Sequence, residues 1–229
     1  MSWQIPSYLG TFTGLLGEHL LMALSASLLG LVLSLPLGLA CIRWPVLYGP
    51  VLAVASALYA VPSLAFFVLL IAFTGIAPLT VIIPLGLYTL SGLVPNVVDG
   101  LRSVPEVVRQ SATAMGMGPA RRLVAVDLPI ALPAVMAGLR VATVANISMV
   151  SVGALIGMGA FGSLFTASAQ LDRVELAVIG IVATIGMALV IDVILVLAQR
   201  MLTPWTRAGT AGRWGPRKAL ATIKQGARA

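Results

Sequence analysis

The sequence predicts an all-α polytopic membrane protein with about five transmembrane helices. Apolar residues make up 59% of the 229-residue chain and charged residues only 9%, whereas soluble globular proteins carry about 25% charged residues. So few charges cannot cover a surface that faces water. Several apolar runs also exceed the roughly 20 residues that an α-helix needs to cross a bilayer. These runs are continuous rather than alternating, which excludes a transmembrane β-barrel.

The apolar runs place the predicted spans along the chain. A helix of about 23 residues rises about 34 Å, which is enough to cross a hydrocarbon core of about 30 Å. In the first span, Gly30 and Ser34 lie one turn apart and favour close packing against another helix. The five predicted spans cover residues 20–42, 51–73, 79–98, 130–156 and 176–198.

The second span is predicted to be broken near its middle. Pro62 has no N–H group, and its ring crowds the carbonyl of Leu58. In lipid, that carbonyl must be satisfied by protein or by water. Two interpretations stay open: the break faces a translocation pathway, as in transporters with broken helices, or it is a kink packed against neighbouring helices.

The basic residues predict the orientation. Twelve of the 14 Lys and Arg residues lie between spans one and two, between spans three and four, or after span five. These regions share one side, and basic residues concentrate on the cytoplasmic side. The N-terminal segment (1–17) is therefore predicted outside and the basic tail (201–229) in the cytoplasm, with the transmembrane domain (18–200) between them. The tail either binds anionic lipid head groups or is simply solvated. No nucleic acid is predicted as a partner, because no aromatic residues are interleaved with the basic ones.

The segment 99–129 between spans three and four is predicted to be structured rather than a flexible linker. Ser103 and Glu106 have the spacing of a capping box, and Pro105 suits the first turn of a helix. A short helix is therefore predicted over residues 104–115. The shape suggests either a docking element or a connection that merely joins two spans.

Glycine and proline residues divide the rest of this segment. Glycine commonly ends a helix and proline commonly opens one, so a second short helix is predicted from Pro119 toward Asp127. The two glycines that end the first helix are Gly116 and Gly118, and the two prolines that mark the start of span four are Pro129 and Pro133.

Residues that carry enzyme chemistry are sparse. His19, the one histidine, adjoins Glu18; neighbouring helix residues point to different faces, so we predict a pair at the membrane interface rather than a metal site. The chain has no glycine-rich phosphate loop with a lysine, and ATP would have to be bound by a partner. Cys41 is predicted to be a packing residue. An intramembrane enzyme would need clustered acidic, Cys or His groups, which the sequence lacks.

Polar residues inside the predicted spans have two interpretations. Asn146 and Ser148, with Ser151 nearby, either form hydrogen bonds between helices or face a pathway. Arg140 and Asp192 lie near the predicted cytoplasmic ends of their spans, where each can reach the interface or form an ion pair.

The segment 99–129 resembles the cytoplasmic motif of type I importer permeases of the ATP-binding cassette class. That motif begins Glu-Ala-Ala, has a glycine six residues after the glutamate, and ends near Ile-x-Leu-Pro. Residues 110–116 (Gln-Ser-Ala-Thr-Ala-Met-Gly) fit its first part, with Gln110 in place of the glutamate and Ser111 in place of the first alanine. Residues 126–129 (Val-Asp-Leu-Pro) fit its second part.

Other segments resemble the glycine betaine/carnitine/choline permeases. Residues 59–65 (Tyr-Ala-Val-Pro-Ser-Leu-Ala) are similar to a stretch of that subgroup's second span, with Tyr59 where the family usually has Gln. Residues 138–140 (Gly-Leu-Arg) and 155–159 (Leu-Ile-Gly-Met-Gly), with Gly162, are similar to its fourth span and the residues that follow. The resemblance covers about residues 18–200.

The resemblance implies the type I permease fold and the permease subunit of an ATP-driven importer, not an enzyme, in a bacterial inner membrane. Two ATPase subunits would bind ATP and Mg, while this chain would bind no cofactor. A second permease subunit, identical or similar, and an extracytoplasmic substrate-binding protein complete the expected assembly. The expected solute is of the glycine betaine, choline, carnitine or proline type. Alternatives are an amino-acid or anion permease, and a membrane anchor that conducts nothing.

Two sets of residues are predicted to carry this function. Small side chains let a helix enter a groove of the ATPase, and arginines either pair with its acidic groups or only set the orientation. Aromatic rings suit a quaternary ammonium group; Tyr59, Phe66, Phe67 and Tyr88 are available, without an evident complete cage. The predicted coupling residues are Arg109, Gln110, Ser111, Ala112, Met115, Gly116, Arg121, Leu128 and Pro129, and the predicted pathway residues are Tyr59, Pro62, Ser63, Asn146 and Ser148.

Overall fold

A computed structural model describes the backbone of residues 5–207. In that part of the chain every regular element is helical, as predicted. Most of the predicted basic tail lies outside the described residues. The α-helices are, in chain order, α1 Ile5–Arg43, α2 Tyr48–Ala60, α3 Ser63–Thr74, α4 Pro78–Arg102, α5 Glu106–Ala114, α6 Pro119–Arg122, α7 Leu128–Val150, α8 Gly162–Leu171 and α9 Val174–Leu202.

Four helical stretches of the described chain can each cross a bilayer by length and composition: α1, α4, α7 with the turns that continue it, and α9. α2 and α3 bring this number to the expected five if they are counted together as one span; they are bent by 92° at their break, a geometry that also fits a re-entrant loop. Several bounds differ from the prediction. The first span extends well before residue 20, because Gly14, Gly17 and Glu18 lower the local hydropathy without ending the helix.

The break of the second span lies at Pro62, as the sequence predicts. The carbonyl of Leu58 accepts the N–H of Val61 at 3.1 Å, so it is satisfied within the protein. The next helix then starts at Ser63, and the Pro62 carbonyl accepts the N–H of Phe66. The missing proline N–H thus ends one helix and a new one begins in another direction.

Helix α4 lies at the centre of the bundle and packs against α1, α2, α3 and α7. Two thirds of its most apolar stretch is buried (67%). α1 approaches it through glycines: a Cβ added at Gly30 would lie 2.5 Å from the Cβ of Thr89, and one added at Gly38 would lie 2.9 Å from the Cβ of Val97. The close packing predicted at Gly30 is therefore confirmed. Cys41 is buried in a second apolar cluster, as expected of a packing residue.

The segment after α4 differs from the prediction at both of its ends. Ser103 does not cap a helix: its hydroxyl donates to the Gly100 carbonyl of α4, and α5 begins only at Glu106, without a side-chain cap. The second short helix is not separate either. α6 continues through a π-helical turn, Leu123–Asp127, into α7 without interruption. Pro129 directly follows this π-helical turn, at the second residue of α7, and it lacks the N–H that a regular α-helix would use there.

One further helix was not predicted. A 3-10 turn, Ser151–Ile156, follows α7 and leads through a glycine-rich loop to α8. With 10 residues, α8 is too short to span a bilayer. It packs against α9, where Gly180 leaves room for the ring of Phe165. Only 6% of the most apolar stretch of α9 is buried, so this span presents most of its surface outward.

Candidate functional site: the elbow and the broken second span

The elbow, residues 104–129, connects α4 to α7 and is largely exposed. Its first helix, α5, turns Ala112 inward (2% exposed) and turns Val107 and Met115 outward, at 72% and 70% exposure. Exposed apolar side chains beside small polar ones are typical of a protein-binding surface. Of the other predicted coupling residues, Gln110, Ser111, Gly116 and Arg121 are exposed, while Arg109, Leu128 and Pro129 are partly buried.

A left-handed glycine ends α5, as predicted. Gly116 has φ +80°, a backbone conformation that glycine adopts without steric cost. Its N–H bonds to the Thr113 carbonyl at 2.9 Å, and the Met117 N–H bonds to the Ala112 carbonyl at 3.1 Å. Gly118 is extended, with φ −66°, and precedes α6. Only Gly116 therefore needs to be glycine for its backbone angle.

Asp127 holds the elbow together from inside. It is 6% exposed, and its carboxylate lies 3.5 Å from Arg109 Nε of α5 and 3.6 Å from Arg122 Nε of α6. Arg109 also donates to the Leu101 carbonyl of α4 at 2.6 Å, and Arg122 to the Thr113 hydroxyl at 3.3 Å. One buried carboxylate thus fixes both elbow helices to the start of α7.

Three aromatic rings meet at the break of the second span. The ring centroids of Tyr59 and Tyr88 are 5.6 Å apart at 72°, and those of Phe66 and Tyr88 are 5.9 Å apart at 53°. The Tyr88 hydroxyl donates to the Val61 carbonyl at 2.6 Å. We call Tyr59, Phe66 and Tyr88 the aromatic cluster. Phe67 is not part of it, because its side chain is fully buried in the main core.

A comparison with known protein families identifies the family of this chain. The sequence profile described as "Binding-protein-dependent transport system inner membrane component" matches residues 30–208, well over half of the chain. The chain belongs to this family. The permease fold expected from the elbow motif and from residues 59–65 is thereby confirmed.

Curated relatives cover most of the permease at about 30% identity. The choline transport system permease protein OpuBB of Bacillus subtilis (strain 168) is 31% identical over 82% of this chain and 86% of its own length. The carnitine transport permease protein OpuCB of Listeria monocytogenes is 33% identical over the same shares, 82% and 86%. The osmoprotectant import permease protein OsmW of Salmonella typhimurium is 32% identical over 85% of this chain and 93% of its own length.

Solved structures share the fold of the permease. An inward-facing form of the MetNI methionine ABC transporter matches with a TM-score of 0.75 and 21% identity, over 89% of this chain and 100% of that chain. An amino acid ABC transporter crystallised with histidines matches with a TM-score of 0.64 and 18% identity, over 88% and 100%. The architecture is thus that of ABC importer permeases.

Membership of this family shows which functional class the protein belongs to. The permease is a transport subunit of a binding-protein-dependent ABC importer rather than an enzyme. It is a multi-pass inner-membrane protein, and its family works with an ATPase and a substrate-binding protein. Among the described residues, no group of three or more His, Cys, Asp or Glu residues could hold a metal ion.

The predicted pathway residues lie in different environments within the permease. Pro62 and Tyr59 are exposed and Ser63 is partly buried at the break of the second span. Ser148 is exposed on α7, whereas Asn146 is 2% exposed. The Asn146 amide donates to the Ser27 hydroxyl at 2.9 Å and to the Thr89 hydroxyl at 3.1 Å, which joins α1, α4 and α7. Of the two interpretations of Asn146, the contacts show hydrogen bonding between helices.

Three other polar residues of the spans have partners within the protein: Arg140, Asp192 and His19. Arg140 of α7 and Asp192 of α9 form a bidentate pair with both N···O distances at 2.8 Å, so pairing is the one of the two interpretations that the contacts show. The interface position predicted for His19 is wrong. Its side chain is fully buried, with Nε2 2.7 Å from the Ile147 carbonyl, because the first span begins well before this residue.

Two features of the candidate site were not predicted from the sequence: the role of Asp127 and the aromatic cluster. Asp127 appeared only as the end of a helix, although an acidic residue near three elbow arginines, where the one other acidic residue of the elbow is Glu106, was a usable signal. The grouping of Tyr59, Phe66 and Tyr88 depends on how α4 packs against the broken span. No spacing along the chain indicates that packing.

Proposed function

We propose that the permease imports a compatible solute of the glycine betaine, choline, carnitine or proline type. The observation that carries this proposal is its likeness, over 82–85% of the chain, to permeases named for choline, carnitine and osmoprotectants. The aromatic cluster at the broken span supports it, because aromatic faces attract quaternary ammonium groups. The predicted pathway residues Tyr59, Pro62 and Ser63 all belong to this break.

The elbow is the element through which we propose that the ATPase moves the spans. α5 offers Val107 and Met115 as apolar contacts, with small side chains between them that allow a groove to close around the helix. Because α6 continues into α7, a displacement of the elbow acts directly on the fourth span. Arg121 is the elbow arginine best placed to meet an acidic partner group, since Arg109 and Arg122 already pair with Asp127.

The same proposal specifies the orientation of the permease in the membrane and the other subunits of the transporter. The elbow lies in the cytoplasm, with the N-terminus outside and the C-terminus inside, because the basic residues concentrate on that side. ATP and Mg belong to two ATPase subunits, and an extracytoplasmic protein delivers the solute. The outward-facing surface of α9 and the limited number of spans favour a second permease subunit that completes the pathway, identical or similar.

Uptake by the whole complex tests the proposed function. The permease, its ATPase and its binding protein are reconstituted in liposomes, and ATP-dependent uptake of labelled choline, glycine betaine, carnitine, proline and methionine is measured. We expect uptake of at least one of the first four solutes and none of methionine. Uptake of methionine alone would favour an amino-acid permease. ATP hydrolysis without uptake of any solute would favour a non-conducting anchor, and either result contradicts the proposal.

Removal of residues 110–116 tests the role of the elbow. We expect the shortened permease to insert into the membrane but to lose its ATPase in co-purification. Retention of the ATPase at the level of the full-length chain would exclude the elbow as the coupling element.

A further inference from the structure

We propose that the aromatic cluster, Tyr59, Phe66 and Tyr88, is a weak binding site in the membrane for the quaternary ammonium group of the solute. The inference rests on the proposed function and adds to it the residues that contact the solute during passage. Four observations carry it: the arrangement of the rings, the exposure of Tyr59, the helix end beside it, and the lack of charge around it.

The rings are arranged as walls rather than as a stack. Tyr88, only 4% exposed, forms the base, and the rings of Tyr59 and Phe66 stand at 72° and 53° to it. A cation binds aromatic faces within about 6 Å of the ring centroids. The buried Tyr88 ring holds the rings of Tyr59 and Phe66 at centroid distances of 5.6 and 5.9 Å, and these two rings offer the more accessible faces. Tyr59 is 51% exposed, so a solute can reach it.

The end of α2 adds a favourable electrostatic contribution. Tyr59 lies in the last turn of α2, which ends at Ala60, and the C-terminus of a helix carries the negative end of its dipole. α3 begins at Ser63 with its positive end. The favourable position for a cation is therefore on the α2 side of the break, where Tyr59 stands.

The location of the aromatic cluster suits brief binding of a solute that is crossing the membrane. α2 is 13 residues long from Tyr48 to Ala60, so the break lies about 20 Å along the helix from its start, well inside a hydrocarbon core of about 30 Å. No Asp, Glu, Lys or Arg occurs between Trp44 and Val98. Without a carboxylate, the site attracts a cation through aromatic faces and the helix end alone, which allows the solute to leave.

The hydroxyl of Tyr88 has a structural role that does not depend on a bound solute. It donates to the Val61 carbonyl and holds the break in place. The ring of Tyr88 is thereby fixed in position against Tyr59 and Phe66. Tyr88 therefore supports both the break and the two more accessible rings of the proposed site.

Binding of choline to the permease, without the binding protein, tests the inference. The complex of permease and ATPase is placed in lipid nanodiscs, and saturation-transfer NMR measures binding of choline and of its neutral isostere 3,3-dimethyl-1-butanol. We expect choline to bind weakly and the isostere about 5- to 30-fold more weakly, the range that one or two cation–π contacts supply. Equal binding of the two compounds would overturn the inference.

Ring-removing variants locate the site. Tyr59→Leu and Phe66→Leu are expected to weaken choline binding about 5- to 30-fold, while Tyr59→Phe keeps the ring and retains binding. Phe73→Leu is the matched control, because Phe73 is 82% exposed on α3 and lies outside the cluster. Unchanged binding in Tyr59→Leu and Phe66→Leu, or an equal loss in Phe73→Leu, would overturn the inference. Co-purification of the ATPase confirms that each variant is folded.

Uptake separates failure of this inference from failure of the proposed function. If the wild-type complex transports no quaternary ammonium compound, both fall together. If it transports choline, and Tyr59→Leu transports it as fast as Phe73→Leu at subsaturating choline, only the aromatic site falls. We expect slower choline uptake by Tyr59→Leu with unchanged membrane insertion.

Discussion

The carboxylate of Asp127 contacts one guanidinium group from each elbow helix. The arginines of the elbow therefore have different roles. The sequence predicted Arg109 and Arg121 alike as residues that meet the ATPase. In the structure Arg109 and Arg122 turn inward to Asp127, and Arg121 is exposed. Charge and spacing cannot separate these roles, because Arg109 reaches Asp127 only after Gly116 reverses the chain between them.

Replacement of Asp127 tests this role. In Asp127→Asn, two partly buried guanidinium groups lose their counter-charge, which we expect to cost about 2 kcal/mol, between the values for exposed and buried pairs. The elbow should become more sensitive to protease between α5 and α6, and ATPase co-purification should fall. Asp99→Asn is the control, because Asp99 is an exposed carboxylate near the same end of α4. Equal behaviour of the two variants would contradict the role of Asp127.

The two glycines of the elbow allow a test of backbone conformation alone. An added Cβ meets nothing within 4 Å at either Gly116 or Gly118, and only Gly116 has a positive φ, at +80°. We expect Gly116→Ala to destabilise the elbow by about 1–2 kcal/mol, the cost of the left-handed conformation in an L-residue, and Gly118→Ala to change little. Thermal unfolding and ATPase co-purification of both variants check this. A larger loss in Gly118→Ala would be inconsistent with it.

Among the helices, the sequence predicted best those features that depend on local chemistry. Pro62 breaks the second span and Gly116 ends α5, since each acts through its own backbone. Features that depend on tertiary contact were missed or wrong. Ser103 has the spacing of a cap, but its hydroxyl bonds to the Gly100 carbonyl, because α4 continues past residue 98. α8 was missed because its sequence is too short and too polar to be read as a span.

The hydrogen bond from Tyr88 connects two elements and has a measurable consequence. In Tyr88→Phe the ring is kept and the Val61 carbonyl loses its side-chain donor. We expect a loss of about 0.5–1.5 kcal/mol in stability, the usual net contribution of one hydrogen bond. Tyr59→Phe is the control, since the Tyr59 hydroxyl makes no hydrogen bond within the described part of the chain. Thermal unfolding of both variants in detergent checks this, and equal stability would contradict it.

In the molecule as a whole, the elbow and the outer span are both attached to one packed centre. α1, α4 and α7 form the packed centre, joined by the buried amide of Asn146. α9 packs mainly against α7 and α8, and its pair Asp192–Arg140 attaches it to α7. α7 therefore connects the elbow, the packed centre and the outer span. A force applied at the elbow reaches both the centre and α9 through this one helix.

This transmission requires the elbow to lie on the side of the ATPase, and the orientation of the whole chain is therefore decisive. Cys41 is buried, and its replacement by alanine gives a background for single cysteines. With a membrane-impermeant thiol reagent, we expect Gln170→Cys, exposed at the end of α8, to be labelled in intact cells, and Arg121→Cys only after the membrane is permeabilised. Arg121 lies before α7, and Gln170 lies after it in α8, so one crossing of the membrane by α7 places the two positions on opposite sides. If Arg121→Cys reacts in intact cells and Gln170→Cys does not, the elbow is outside, and it cannot receive force from an ATPase in the cytoplasm.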